Sequence, residues 1–541
     1  MPAPAPFRVR PPPPLQRPPA GRTGLRAGLG ALIVFLATAS PGVEWQDSGF
    51  HQYRIITGQL ESPLGLAVSH PLHYHLGRLV VLTRFGNPAA GLNLLSGLCG
   101  ALAVGLVAGL VTRLTARPAA AYAAAAALAL SHSFWQMSVV TETYTLAAAL
   151  MALEWTLVLG YARHRRPAWL LVLFAVNGLH VADHLLGLLP LATYGVLLLA
   201  QVVRRRVGAG WLIACAVAWL LAAGPYVTLV IQHGRNTGDW AGTLRSALFG
   251  GGSAGGGWSS EVLNTAVSMD QLGQALLTFG YCFPSATGLV ALAGLARRAR
   301  GRRALFWWIL AAQTVLVCGF VGRYPIRDLH TFFVPVCTLT AVWFGSGTAV
   351  LLRRARRPRA RQWLAAALVA NAALPVGVYA VFPGLARERG WLRGQLRAIP
   401  YRDAYTYVFC PWRAGNDSAA RFARAVLADA GDGGWVFADT TTAFPVALTC
   451  LLTPEAVAPH GGAGAPGTAD TGLRRVIWQR RDLLAPGYVE IPLAEIEAHV
   501  ASGGGTSVVP SVELNGLFPP PLAIEKTEPF WRLRLGPPPA H

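Results

Sequence analysis

The stretch from Val43 to Arg78, VEWQDSGFHQYRIITGQLESPLGLAVSHPLHYHLGR, decides how this chain is read. It carries Asp47, Arg54, Glu61 and four histidines, and it lies between two apolar stretches, Gly24–Ser40 and Ala90–Val111. A bilayer crossing needs about 20 residues that are mostly apolar. Both flanks therefore read as spans, and the polar stretch between them as a loop on one membrane surface. Ionisable groups held at membrane depth are costly and mark function.

The composition agrees. Of 541 residues, 53% are hydrophobic and only 13% charged, a balance foreign to a soluble chain of this length. The net charge of +21 comes almost wholly from arginine, set in short clusters between apolar runs. That distribution orients membrane helices and does not build a nucleic-acid face. The clusters are Arg113 with Arg117, Arg163 to Arg166, Arg204 to Arg206, Arg297 to Arg303, and Arg353 to Arg361.

Each gap between clusters holds enough apolar sequence to cross and return, so every cluster is predicted to face the cytoplasm. The spans then fall at Gly24–Ser40, Ala90–Val111, Ala119–Ser131, Thr143–Tyr161, Ala168–Val181, Leu185–Val202, Gly210–Ile231, Gln271–Leu295, Ala304–Val321, Thr331–Leu352 and Trp363–Val381. The fold class predicted is an all-α polytopic membrane protein of about 11 helices, with a small C-terminal extracytoplasmic α/β domain. Residues 1–23, rich in Pro and Arg, read as a disordered cytoplasmic tail before an uncleaved first span. Residues 24–382 form the membrane domain and 383–541 the soluble one, in a cell (inner) membrane protein. After Pro383, Gly434–Ala438, Arg475–Gln479 and Tyr488–Ile491 read as strands, and Ser418–Ala430 and Leu493–Val500 as amphipathic helices.

This topology sends the remaining ionisable residues to one face. Glu44, Asp47, His51, Arg54, Glu61, His70, His73, His75 and Arg78 fall in the first outer loop; Glu142 opens the fourth span; Asp183 and His184 mark the fifth-to-sixth turn; Arg323, Asp328 and His330 lie between spans nine and ten. The seven cysteines form no CxxC pair, which leaves at most a Cys410–Cys450 bridge in the soluble part. Gly250–Gly257, in the outer loop 233–270, reads either as a flap over a groove or as a plain linker.

Four blocks resemble the DUF2723 family of the GT-C glycosyltransferase superfamily, which includes TMEM260-type protein O-mannosyltransferases. They are Trp45-Gln46-Asp47-Ser48-Gly49 with His70-Pro71 and Tyr74; Ser133-Phe134-Trp135-Gln136 leading to Glu142-Thr143-Tyr144; Asn177-Gly178-Leu179-His180 through His184; and Asp328 through Phe332-Phe333-Val334-Pro335. The resemblance implies a GT-C fold and transfer of a sugar, mannose-like, from a polyprenyl-phosphate donor to an acceptor hydroxyl, such as protein Ser/Thr, at the outer face. The implied partners are the lipid-linked sugar, membrane lipid and an acceptor protein or glycan, with no nucleic acid.

The residues suit that chemistry. An acceptor hydroxyl needs a base, and Asp47 is the residue expected to serve. A leaving lipid phosphate needs donors or cations, for which Arg54, Arg78, Arg323 and His70 are the candidates. Glu44, Glu61, His73, Tyr74, Trp135, Glu142, Tyr144, His180, His184 and Asp328 complete the expected substrate-binding set. No cofactor is required on this reading and no metal ligands are assigned, although His180 and His184 at i, i+4 and the His70/His73/His75 group have the residue type for a divalent cation.

Two departures from the family pattern stand out: Phe50 occupies the place of its usual second acid, and its His-Pro-Pro-Gly-Tyr-Pro reads His70-Pro71-Leu72-His73-Tyr74-His75. Three readings of the missing acid stay open: Glu44 or Glu61 substitutes for it, the acceptor differs, or the activity is lost. The competing readings are a transporter or lipid-translocating protein, disfavoured because the charges gather at one face, and an inactive GT-C scaffold.

Overall fold

The computed structural model describes residues 19–84, 86–251, 257–296, 301–326, 328–431, 434–439, 441–453, 475–478, 493–510, 518 and 521–536. Residues 1–18 of the predicted tail 1–23, the strand expected at 488–491, most of 250–257 and Arg327 lie outside them, and residues 20–23 of that tail are helical, in the first turn of the helix that spans Ala20–Thr38.

Helix α1 (Ala20–Thr38) leads into two short surface helices, α2 (Gln46–Thr57) and α3 (Pro71–Leu82). There follow α4 (Pro88–Thr115), α5 (Pro118–Ala129), the one-and-a-half-turn α6 (His132–Met137), α7 (Tyr144–His164), α8 (Ala168–Asp183), α9 (Leu188–Val203), α10 (Gly210–Ala222), α11 (Gly224–Thr237), α12 (Trp240–Phe249) and α13 (Ser259–Val262). Helices α14 (Met269–Cys282), α15 (Thr287–Leu295), α16 (Ala304–Arg323), α17 (Phe333–Arg354) and α18 (Pro358–Glu388) complete the bundle.

Seven of these helices are long and apolar enough to cross a membrane, and two bent pairs raise the number to nine. The shorter apolar helices α5 and α8 occupy the two remaining predicted positions. The eleven predicted segments thus all appear as helix, but two are broken. Helices α10 and α11 meet at 72°, where Gly224-Pro225 interrupts the ladder, and α14 and α15 at 105°, where Pro284 forces Phe283 out of helical geometry.

Small residues let the helix axes close in. A Cβ on Gly24 of α1 would meet the Gly105 carbonyl of α4 at 2.7 Å, and one on Gly28 the Ala101 carbonyl at 3.0 Å, the close approach by which membrane helices associate. Helices α7 and α17 lie inside the bundle, each with 83% of its apolar window buried, whereas α18 with 11% faces outward. At one end, Arg163 donates to the Arg113 carbonyl and Arg303 to the Leu114 carbonyl, so the arginines cap helix C-termini there.

The C-terminal part packs on the opposite end. It comprises α19 (Ala404–Phe409), α20 (Ser418–Ala430), β1 (Trp435–Ala438), α21 (Ala443–Leu452), β2 (Arg475–Trp478), α22 (Leu493–Ala501), β3 (Thr506–Val508), β4 (Leu522–Glu525) and β5 (Arg532–Leu535). Strands β2-β1-β3 form a parallel sheet, with Val436 opposite Val476 and Ser507, and β4–β5 an antiparallel pair. Helix α20 has the bounds expected from its apolar period, whereas β3, β4 and β5 were not anticipated. No Cys410–Cys450 disulfide forms; Cys410 is a buried free thiol.

Candidate active site

Asp47 stands in the first turn of α2, and the polar residues around it fix that helix. Gln52, one face further along α2, is wholly buried: its Oε1 accepts from the Glu44 amide at 3.0 Å, and its Nε2 lies 2.9 Å from Asn93 Oδ1 and 3.1 Å from Thr141 Oγ1. One amide thus joins α2 to the preceding loop, to α4 and to the link between α6 and α7. Gly49 is required at this crossing, since a Cβ there would sit 2.2 Å from the Glu44 carbonyl. Gln46, in the left-handed region at φ 51, donates its amide to Thr441 and accepts from the Tyr407 hydroxyl at 3.2 Å. The C-terminal part therefore grips the residue before Asp47, and Phe444 packs on Phe50 and Tyr53 of the same helix.

Three carboxyls share the space beside α2. Ser48 donates to Glu142 Oε1 at 2.8 Å, which places Glu142 next to Asp47. Asp47 reaches solvent, yet protein crowds it on enough sides that lost hydration, joined by the like charge of Asp328, raises its carboxyl to about 6. Burial, then repulsion from Asp47, pushes Glu142 up to about 8 despite the Ser48 bond. Both carboxyls are thus held above the ordinary carboxylate range, Glu142 further than Asp47, an ordering that suits an acid and a base in one site. The acids that accompany Asp47 are thus Glu142 and Asp328. Glu44 is buried within reach of the Arg413 charge, and Glu61 is bound to His233 at 2.7 Å, so neither expected substitute joins Asp47.

One turn along α2 from Asp47 is His51, on the same face. Its ring centre lies 5.5 Å from that of His70 and 6.0 Å from that of His73, and His70 lies 4.9 Å from His184. His51 was read as a loop residue and not singled out; its i, i+4 relation to Asp47 was the available signal. Tyr144 links the acid side to the imidazole side, with its ring 5.0 Å from His184 and its hydroxyl bonded by Thr331, beside Asp328.

From Tyr144 a narrow, nearly closed slot of about 10 Å³ runs between α7, α9, α16 and α17, lined chiefly by Ala147, Met151, Leu189, Val317 and Pro335. A shallow surface recess lies between His70, Asp183, His184 and Tyr226.

Several other expected residues are engaged elsewhere. Arg54, fully buried, donates to the carbonyls of Leu60, Val68 and Ser69 and so shapes the loop that carries His70. Arg78 caps the end of α2 through the Ile55 and Ile56 carbonyls, and Arg323 binds the Asn264 carbonyl. Tyr74 packs on Ile55 and Leu92, and Trp135 donates to Thr38 Oγ1 and leans on Trp412. His180 is held by Glu154 at 3.0 Å and lines the slot, while His184 Nδ1 accepts from the Leu186 amide, so one nitrogen of each ring is engaged by the protein. Among the described residues no group of three or more His, Cys, Asp or Glu side chains is placed to hold a metal ion. The Gly250 end of the glycine-rich loop is docked: Gly251 donates to the Leu64 carbonyl, against Gly65 at φ 109.

The whole chain is similar in structure to ArnT from Cupriavidus metallidurans bound to undecaprenyl phosphate, with a TM-score of 0.53 at 13% identity, covering 94% of this chain and 96% of that one. It is equally similar to the apo state of that protein, at 14% identity and the same coverage. No curated protein matches it in sequence. At this level of identity the likeness is one of fold. Residues 64–207 match the family model of the protein O-mannosyl-transferase TMEM260 N-terminal domain.

Proposed function

We propose that this protein transfers a mannose-like hexose from a polyprenyl-phosphate carrier to an acceptor hydroxyl, with protein Ser/Thr the leading acceptor, at the extracytoplasmic face of the cell membrane. The observation that carries the reading is a polarised recess at the mouth of an apolar slot: acids at Asp47, Glu142 and Asp328, imidazoles one helical turn away. A prenyl tail that parts the helices along the slot localises the donor and orients its anomeric carbon, converting an encounter in the bilayer into a positioned reaction. Asp47 takes the acceptor's proton as the new glycosidic bond forms. The uncharged Glu142 carboxyl is suited to hydrogen-bond a sugar hydroxyl.

The arginine-capped end of the bundle then faces the cytoplasm, which puts the recess and the C-terminal unit from residue 383 outside. Support for the donor class comes from the similarity to a protein crystallised with undecaprenyl phosphate. The test is a panel of radiolabelled polyprenyl-phosphate sugars given to purified protein in nanodiscs with a Ser/Thr-rich acceptor peptide. Label from one donor should pass to the peptide. Donors all left intact, with or without the peptide or a glycan acceptor, would refute the reading and favour an inactive scaffold.

A further inference from the structure

We propose that His51, His70, His73 and His184 together seat the phosphate of the donor and become cationic when it arrives, so that capture of the headgroup is coupled to proton uptake. The proposal rests on the polyprenyl-phosphate reading above and names the residues and the charge mechanism of its leaving-group side.

The four rings come from α2, from the start of α3 and from the α8–α9 link, and converge with centres 4.9–6.0 Å apart. Their orientations are set from behind. His70, in the left-handed region at φ 50, gives its Nδ1 to the Asp183 carbonyl at 2.7 Å, which leaves Nε2 on its free edge. His184 Nδ1 accepts from the Leu186 amide at 3.1 Å, so the neutral ring carries its proton on Nε2. His73 Nε2 is buried with no hydrogen-bond partner among the described residues. A buried imidazole nitrogen without a partner costs free energy that a ligand would recover.

The charged and titratable groups facing the cluster are Arg54 from α2, Asp183 and His180 from α8, Tyr144 from α7 and Tyr226 from α11. Without an anion, burial leads in holding the rings neutral, aided by Arg54 and by the rings themselves, with His70 brought down to about 4 and His73 to about 3. The single negative charge of the donor's phosphodiester opposes that field and favours imidazolium. During transfer the C1–O bond breaks and its electron pair stays on the phosphate oxygen, while the acceptor oxygen bonds C1 and its proton moves to Asp47. The second negative charge then develops on phosphate against imidazolium N–H donors.

The experiment is calorimetry of a polyprenyl monophosphate binding to the full-length protein in nanodiscs at pH 7.5, in two buffers of different ionisation enthalpy. About one proton should be taken up per lipid bound, with affinity falling as pH rises. His73→Gln and His51→Gln should each weaken binding about tenfold and cut the proton uptake, with unfolding temperature checked for each. Tight binding without proton uptake by the wild-type protein would overturn the proposal, and needs no variant to observe. Proton-coupled binding of inorganic phosphate as tight as that of the lipid would also overturn it, by assigning the seat to the free ion. If the lipid binds with proton uptake but no labelled donor is consumed, the seat stands and the transfer reading falls.

Discussion

Two buried polar clusters sit less than a helix length apart and are built on opposite principles. In the bundle interior Glu154 is fully satisfied: Asn177, His180 and Tyr194 all reach its carboxylate at 3.0 Å, while Trp219 holds Asn177 and Gln313 joins Trp155 to Thr193. In the recess, by contrast, both oxygens of the fully buried Asp183 and Nε2 of His73 have no partner among the described residues. A closed network ties α7, α8, α9 and α16 together; an open one is a surface waiting for a ligand. The contrast also bears on the transporter reading, because an ionisable pair deep in the bundle is that class's usual mark, and here each member is consumed by neighbouring helices.

The sharpest break of the comparison comes at the open site. Asp47→Asn should lower transfer by about three orders of magnitude with the unfolding temperature unchanged; retained activity would remove Asp47 from the mechanism. At the closed site the effect should invert. Glu154→Leu leaves three donors unmatched and should cost about 2 kcal/mol of stability, read as a lower thermal midpoint, while turnover per folded molecule holds; loss of turnover without loss of stability would make Glu154 part of the site.

A smaller effect is expected at the clamp. Gln46→Ala loses the Tyr407 bond and should reduce kcat about fivefold at constant KM, by loosening Asp47; a change in KM alone would place Gln46 at the substrate. The smallest is electrostatic. The Asp47 carboxyl, raised to about 6, must be ionised to act, so activity should rise with pH through that value. Asp328→Asn removes a repelling charge and should move the limb down by about half a pH unit. A limb that stays put would exclude Asp328 from Asp47's field.

Much of this was legible because membrane insertion writes itself into sequence: arginine clusters and apolar lengths located eleven helical segments, and local motifs found Asp47, Glu142, His70 and Asp328. The two sharp bends were not read as bends, although Gly224-Pro225 and Pro284 were there to see. Glu154 was overlooked in an apolar run, where a lone carboxylate is itself a signal. Arg54 looked like a phosphate ligand because nothing local reveals that the carbonyls of Leu60, Val68 and Ser69 would claim it. Least legible was the Gln46 clamp, whose partners Tyr407 and Thr441 lie more than 350 positions away, beyond any spacing argument.

That clamp sets an order of events during biosynthesis. Asp47 leaves the ribosome early, but its footing on Thr441 and Tyr407 arrives only with the last third of the polypeptide. A half-translated chain holds α2 through Gln52, and the clamp on Gln46 closes only once the last third of the polypeptide has been made and folded onto it.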